Sequence, residues 1–308
     1  MIYLPTNFFF LTRKQVYICV YNITKATEEG KAKNNCQKRK VLHNIRVRNN
    51  IIICLYRVPR TEAASPFGNT DFPTCQEQPV GSIVILDHLN INHEKGRHEL
   101  LRAFYFDFLG CAVAPRKEEN LARGAKTLWA NVGFSQFHLP EGRPGAQVFD
   151  GIITLVYPTL KGWLERHEKD KNIRSTLEGT QFRVEEREDE DDNRGSAFLL
   201  LTDPWRSIFR IISPAEGVDP QAEVDPRGTQ GGGQSEGLAL KDLSVHCPAG
   251  SNFGGIARFY ERVFAAPVLS YDEGSSCVIS VAPRETLTFE AHPNGPGVEV
   301  SHEDMVDG

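Results

Sequence analysis

ILDHLNINHEKGRHELLRAFYFDFLGCAV, residues 85–113, is the stretch that decides the fold. It opens as a strand. Leu89 and Ile91 alternate with His88, Asn90 and Asn92, so one face is apolar and the other polar. Gly96 marks a turn. A helix follows, in which Leu100, Phe104 and Phe108 share one face, with Leu101, Tyr105 and Leu109 beside it. Gly110 stands where a glycine C-cap ends a helix.

Strands at 127–132 and 134–139, joined at Gly133, complete the unit, and Pro140 to Gly145 closes it. The pattern then restarts. Residues 148–157 read as a strand and 160–167 as a helix with Leu160, Trp163 and Leu164 on its apolar side. Strands at 180–184, 197–201 and 207–212 follow. The acidic run EEREDEDD, 185–192, reads as a solvated hairpin loop. Residues 214–238, rich in Pro, Gly and acids, read as a flexible linker. Beyond them the opening pattern returns: LKDLSVH (240–246) matches LDHLNIN (86–92), and RFYERVF (258–264) stands where the first unit has AFYFDFL. Strands at 277–281 and 286–291 end the third unit.

Composition bounds the partners. The 308 residues carry a formal charge of −5, unevenly spread. Residues 1–60 hold twelve Lys or Arg against Glu28 and Glu29, so the rest of the chain is strongly acidic. That excludes nucleic acid as a partner of the body. No apolar run reaches the length of a membrane span. The seven cysteines form no CxxC, which fits free thiols in an intracellular, soluble setting, cytoplasmic or organellar. Residues 1–80, with apolar clusters at 8–11 and 51–55 in a basic background, read as a disordered or leader-like extension.

LDHLNIN (86–92), FYFDFLG (104–110), FSQFHLPEG (134–142) and TDPWRSIFRI (202–211) together resemble the vicinal oxygen chelate superfamily. That group includes glyoxalase I, extradiol dioxygenases and bleomycin resistance proteins. The resemblance implies an α+β fold of repeated βαβββ modules. Two of them, 82–213, form one complete cup. The third, 239–308, lacks its partner and invites a homodimer through 239–292, unless the chain is a truncated product.

The resemblance also implies a divalent cation held by residues at set strand positions. Here those positions carry His88 and Gln136 in the first module, Gly151 and Arg210 in the second, and Asp242 and Thr288 in the third. One good ligand among the four of the expected cup does not make the usual site, and Arg210 repels a cation. A reduced metal set of His88, Gln136 and His138 is one alternative. A second gives His88 or His138 an acid/base role without metal. A third leaves them as hydrogen-bonded pocket lining. Arg210, with Asn90 and Gln136, suits a small anionic ligand. Trp129 is a further contact or plain core. The functional readings are therefore a glyoxalase-like lyase, isomerase or dioxygenase; a metal-free small-molecule binder; and a degenerate non-catalytic member.

Overall fold

The structure is a computed structural model. It describes residues 16–22, 51–57, 81–114, 117, 127–142, 145–188, 197–224, 235–248 and 250–292. The elements in chain order begin with strands β1 (Val16–Asn22), β2 (Ile51–Arg57) and β3 (Ile83–Asn90). Helix α1 starts as His98–Leu101 and widens to a π-helix over Arg102–Phe108. Strands β4 (Ala112–Val113), β5 (Leu128–Val132), β6 (Ser135–Leu139) and β7 (Gly151–Val156) follow. Next come helices α2 (Leu160–Lys169) and α3 (Lys171–Leu177), then β8 (Arg183–Glu188), β9 (Ala197–Thr202) and β10 (Ile208–Ile212). The last unit is β11 (Ala239–Cys247), α4 (Phe253–Phe264), β12 (Val268–Asp272), β13 (Ser276–Ala282) and β14 (Glu285–Ala291).

The strand periodicity predicts most of the longer elements but not strands β1, β2, β4 and β12, and the fold is α+β. Two further features also depart from it. Helix α3, whose N-cap Asp170 accepts from the backbone of Asn172 and Ile173, follows α2 after a single residue. Half of the acidic run is strand β8, exposed along its whole length, so its alternating charges face water without breaking the ladder. Residues 189–192 lie outside the described residues.

Each unit orders its strands alike, the first pairing in parallel with the last: β3-β6-β5-β4, β7-β10-β9-β8 and β11-β14-β13-β12. The units join differently from the expectation. β11 pairs antiparallel with β7, so the second and third units zip into one eight-stranded sheet. The first unit stands in a separate six-stranded sheet, where β2 pairs antiparallel with β3 and β1 parallel with β2. The expected cup of 82–213 with an unpartnered third unit is therefore corrected. The third unit's open edge is satisfied within the chain, which removes the reason given for a homodimer through 239–292.

The extension 1–80 needs correction too. β2 brings Ile53 and Leu55 into full burial opposite Leu89 and Leu86. An apolar run too short to show a period still covers a strand edge that would otherwise lie open. The cluster at 8–11 lies outside the described residues, as do 225–234 of the expected linker. Of that linker, Pro220–Glu223 forms a short 3-10 turn.

One apolar core serves both sheets. Tyr105 of α1 meets Phe137 of β6 on one side and Phe209 of β10 on the other, at ring centroid distances of 5.2 and 6.4 Å. Glu285 at the start of β14 ties the sheets together, accepting from the Leu86 backbone at 3.2 Å and the Ser135 hydroxyl at 2.9 Å.

Candidate functional site

Strand alternation gives each sheet a helix side and a polar side. On the six-stranded sheet, register places His88 beside Gln136 and Asn90 beside His138. The His138 ring stacks on Trp129 at 4.0 Å, and His88 meets both rings edge-on at 5.2 and 5.7 Å. Lys117 lies 5.0 Å from the Trp129 ring centre. Burial lowers the His138 pKa to about 4, and the charges of His88 and Lys117 push the same way, so its imidazole is neutral at pH 7. His88 Nδ1 lies 2.6 Å from an Asp87 carboxylate oxygen, and the Gln136 amide donates to Asn131 at 2.5 Å. The sequence-predicted residues are thus gathered on one face, held by an aromatic stack and by neighbouring polar groups.

Arg210 is elsewhere. It lies on β10 in the eight-stranded sheet, where register aligns it with Thr154 of β7 and Thr154 with Asp242 of β11. Its guanidinium packs over the Phe198 ring at 4.4 Å. Asp242 accepts hydrogen bonds from the Thr286 hydroxyl at 2.5 Å and the Thr288 hydroxyl at 2.8 Å. Burial pushes the Asp242 carboxyl up to about 6, against the lowering pull of those two hydroxyls. The Glu290 charge adds to the rise and Arg210 opposes it.

Gly151, Arg210, Asp242 and Thr288 are the positions at which the resemblance expects metal ligands, and all four sit on adjacent strands of this sheet. They do not fit a cation. Gly151 has no donor, and its φ of +154° sets it so close to β11 that an added Cβ would lie 1.8 Å from the Ser244 carbonyl oxygen. The Arg210 positive charge acts on Asp242, the single carboxylate of the set.

A second polar group lies further along the same face. Asp150 precedes β7, His246 is near the end of β11, and His292 follows β14. Asp150 was not singled out by the sequence, because only the antiparallel β7–β11 joint brings it beside His246. The signal available in the sequence is parity: Asp242, Ser244 and His246 share one strand face, as do Thr288, Glu290 and His292.

A cavity of about 300 Å³ lies on the other side of the sheet, between α1, α2, α3 and β8–β9. Phe108, Trp163, Ile173, Leu177 and Leu199 line it, so it is chiefly an apolar gap behind the polar row.

Among solved structures, this chain is similar to one from Bacillus subtilis provisionally assigned as a dioxygenase. The identity is 14%, over 68% of this chain and 64% of that one, with a TM-score of 0.40. It is similar to a point variant of glyoxalase I from Zea mays at 12% identity, over 66% of this chain and 68% of that one, with a TM-score of 0.41. It is also similar to the 2,3-dioxygenase LapB from Pseudomonas sp. KL28, at 12% identity over 70% and 72%, with a TM-score of 0.30. At these identities and scores the likeness carries no residue role over to this chain, which spans about 64% of the Bacillus chain's length. No family model and no curated protein matches it. Among the described residues, no helix is long and apolar enough to cross a membrane.

Proposed function

We propose that this chain is a vicinal-oxygen-chelate-type protein that binds a small anionic molecule on the polar face of its eight-stranded sheet. The observation that carries this reading is Arg210, half-buried on that face in register with Thr154, with Asp242 on the next strand across and Thr286 and Thr288 on the one beyond. A guanidinium in a partly desolvated setting binds a carboxylate or phosphate more strongly than one in water. The Thr154 hydroxyl on the neighbouring strand offers a further polar group to the same ligand. No metal at the superfamily's positions takes part, because their donor set does not suit one.

Asp242 adds a reactive group. A carboxyl whose pKa is raised to about 6 can both take and return a proton near neutrality. A lyase or isomerase that moves a proton next to the ligand's carbonyl is the enzymatic form of this reading, with Arg210 orienting the anion. A metal-free binding protein is the other form. The two separate on Asp242→Asn, which abolishes turnover in the first and, by removing the charge that offsets Arg210, raises affinity at pH 7 in both.

The test is a thermal-shift screen of the full chain against small carboxylates and phosphates, followed by titration of the strongest. Arg210→Ala is expected to weaken binding by about tenfold or more. Unchanged affinity in that variant overturns the reading. Affinity is also expected to rise as pH falls through about 6. There Asp242 takes up a proton, and the Arg210 charge is no longer offset. The aromatic pair Trp129–His138, with Asn90 and Gln136 beside it, is a second seat for a flat ligand. It is favoured by the 4.0 Å stack, and Trp129→Ala tests it.

A further inference from the structure

We propose that Asp150, His246 and His292 form a binding site for one divalent transition-metal ion, at the seam between the second and third units. Its two histidines are displaced from the superfamily's positions on β11 and β14, while Asp150 neighbours the Gly151 position. His246 lies four residues along β11 from Asp242, about 13 Å at the usual rise of a strand. It goes beyond the anion reading of the sheet and does not rest on it.

The geometry is that of a site before closure. The ligand atoms of the three residues all lie within 4.8 Å of one another, and they form the one such trio among the described His, Cys, Asp and Glu residues. His246 Nδ1 is 3.2 Å from Asp150 Oδ1, and His292 Nε2 is 3.8 Å from the same oxygen. Bonds of about 2.1 Å in a tetrahedral site separate ligand atoms by about 3.4 Å, and these two distances bracket that value. The imidazole rings stand 5.0 Å apart at 65°, so they converge without stacking. Two imidazoles and one carboxylate suit zinc, iron, nickel, cobalt or manganese better than calcium or magnesium, which take mostly oxygen ligands.

Glu290 provides the outer shell. Its carboxylate lies 3.6 Å from His246 Nε2 and accepts from the Ser244 hydroxyl at 2.9 Å. At 3.6 Å this is an ion-pair distance; closing it to a hydrogen bond would hold the proton on Nε2 and leave Nδ1, which faces Asp150, for the ion. All three ligands are only partly buried, so solvent or a ligand can fill the remaining coordination positions. Backbone bonds set the frame: the His246 amide donates to the Asp150 carbonyl at 3.0 Å, and the His292 amide to the Cys247 carbonyl at 3.0 Å. Because Asp150 belongs to the second unit and both histidines to the third, one ion would cross-link the seam.

The test uses the full chain without a histidine tag, dialysed against chelator and titrated with Co²⁺ and then Zn²⁺ alone. One equivalent is expected to bind, with a cobalt d–d spectrum, and the melting temperature is expected to rise as the seam is tied. His246→Ala, His292→Ala and Asp150→Asn each weaken binding more than about tenfold, whereas His88→Ala and His138→Ala leave it unchanged. His292→Ala lies at an accessible strand end, so its far-UV spectrum remains that of the folded chain if His246→Ala fails to fold. A dissociation constant weaker than about 1 mM overturns the proposal. So does binding that survives His292→Ala, or that is lost in His88→Ala.

Discussion

In the six-stranded sheet the outer edge of a unit's first strand, β3, is covered by β2 from the N-terminal region. In the eight-stranded sheet the same edge of β7 is covered by β11, the first strand of another unit. Both pairings are antiparallel, and both bury apolar residues on the helix side: Ile53 and Leu55 in one, Leu243 and Val245 in the other. What differs is what the partner brings. In the first case a strand with one more strand outside it covers the edge, and the polar face beyond β3 is filled by the stack of His88, Trp129 and His138. A whole unit covers the edge and contributes a second polar face. The chemistry of the eight-stranded sheet, Arg210 against Asp242 and Asp150 against His246, arises from residues on opposite sides of that joint.

The sharpest way to break this comparison is to place a charge in each joint. An unpaired carboxylate in a dry core costs about 3–5 kcal/mol. Leu243→Asp and Ile53→Asp should therefore both lower the urea midpoint severely. Their reach should differ. Hydrogen exchange should show Leu243→Asp opening 151–156 and 239–247 together, while Ile53→Asp opens 83–90 and spares β11. Equal loss of protection in both sheets for Ile53→Asp would mean that the N-terminal strand is not a local cover.

The repeated units were legible in the sequence, and which of them join was not. Alternation in LDHLNIN and LKDLSVH reports the two faces of a strand, because side chains point to opposite sides with a period of two. It is silent about the strand's edges, where the bonding groups are backbone and identical for every residue. Edge choice turned on Ile51–Arg57, a run whose apolar character was visible but whose partner was not, and on Gly151. The same limit explains the candidate residues. His88, Gln136 and His138 lie on one strand face because they belong to one unit. Asp150 was missed because it meets His246 only across the joint. Arg210, expected beside Asn90 and Gln136, lies on the other sheet.

Gly151 offers the next test, confined to the joint itself. Its positive φ and the close Ser244 carbonyl leave no room for a side chain. Gly151→Val should cost about 3 kcal/mol in thermal unfolding, at the upper end for an overpacked site. A valine tolerated without loss would show that β7 and β11 are further apart than the pairing requires. A smaller effect, about 2 kcal/mol, is expected of Glu285→Ala between the two sheets. It leaves the Leu86 amide and the Ser135 hydroxyl without this acceptor in a buried setting. Glu285→Gln, which keeps one acceptor oxygen, should recover about half of that loss.

The finest distinction between the two sheets is the sign of their response to pH. The six-stranded sheet buries two histidines, His93 and His138, whose pKa values burial lowers to about 3 and about 4. The unfolded chain protonates them near 6.5 and the folded chain does not. Their contribution is therefore complete above 6.5 and is lost as pH falls toward 4. The eight-stranded sheet carries Asp242 and Asp203, whose carboxyls burial raises to about 6 and about 7. The folded chain holds those protons longer than the unfolded one. Their contribution is complete below 3.8 and is lost as pH rises through 6 to 7. His138→Gln should flatten the acid limb of a plot of urea midpoint against pH, and Asp242→Asn the limb above 5, by about 1 kcal/mol each once partial exposure is discounted. If Asp242→Asn alters the acid limb instead, the carboxyl is solvated and its raised value does not hold. The acid/base role proposed for it then fails, while the joint between β7 and β11 still stands.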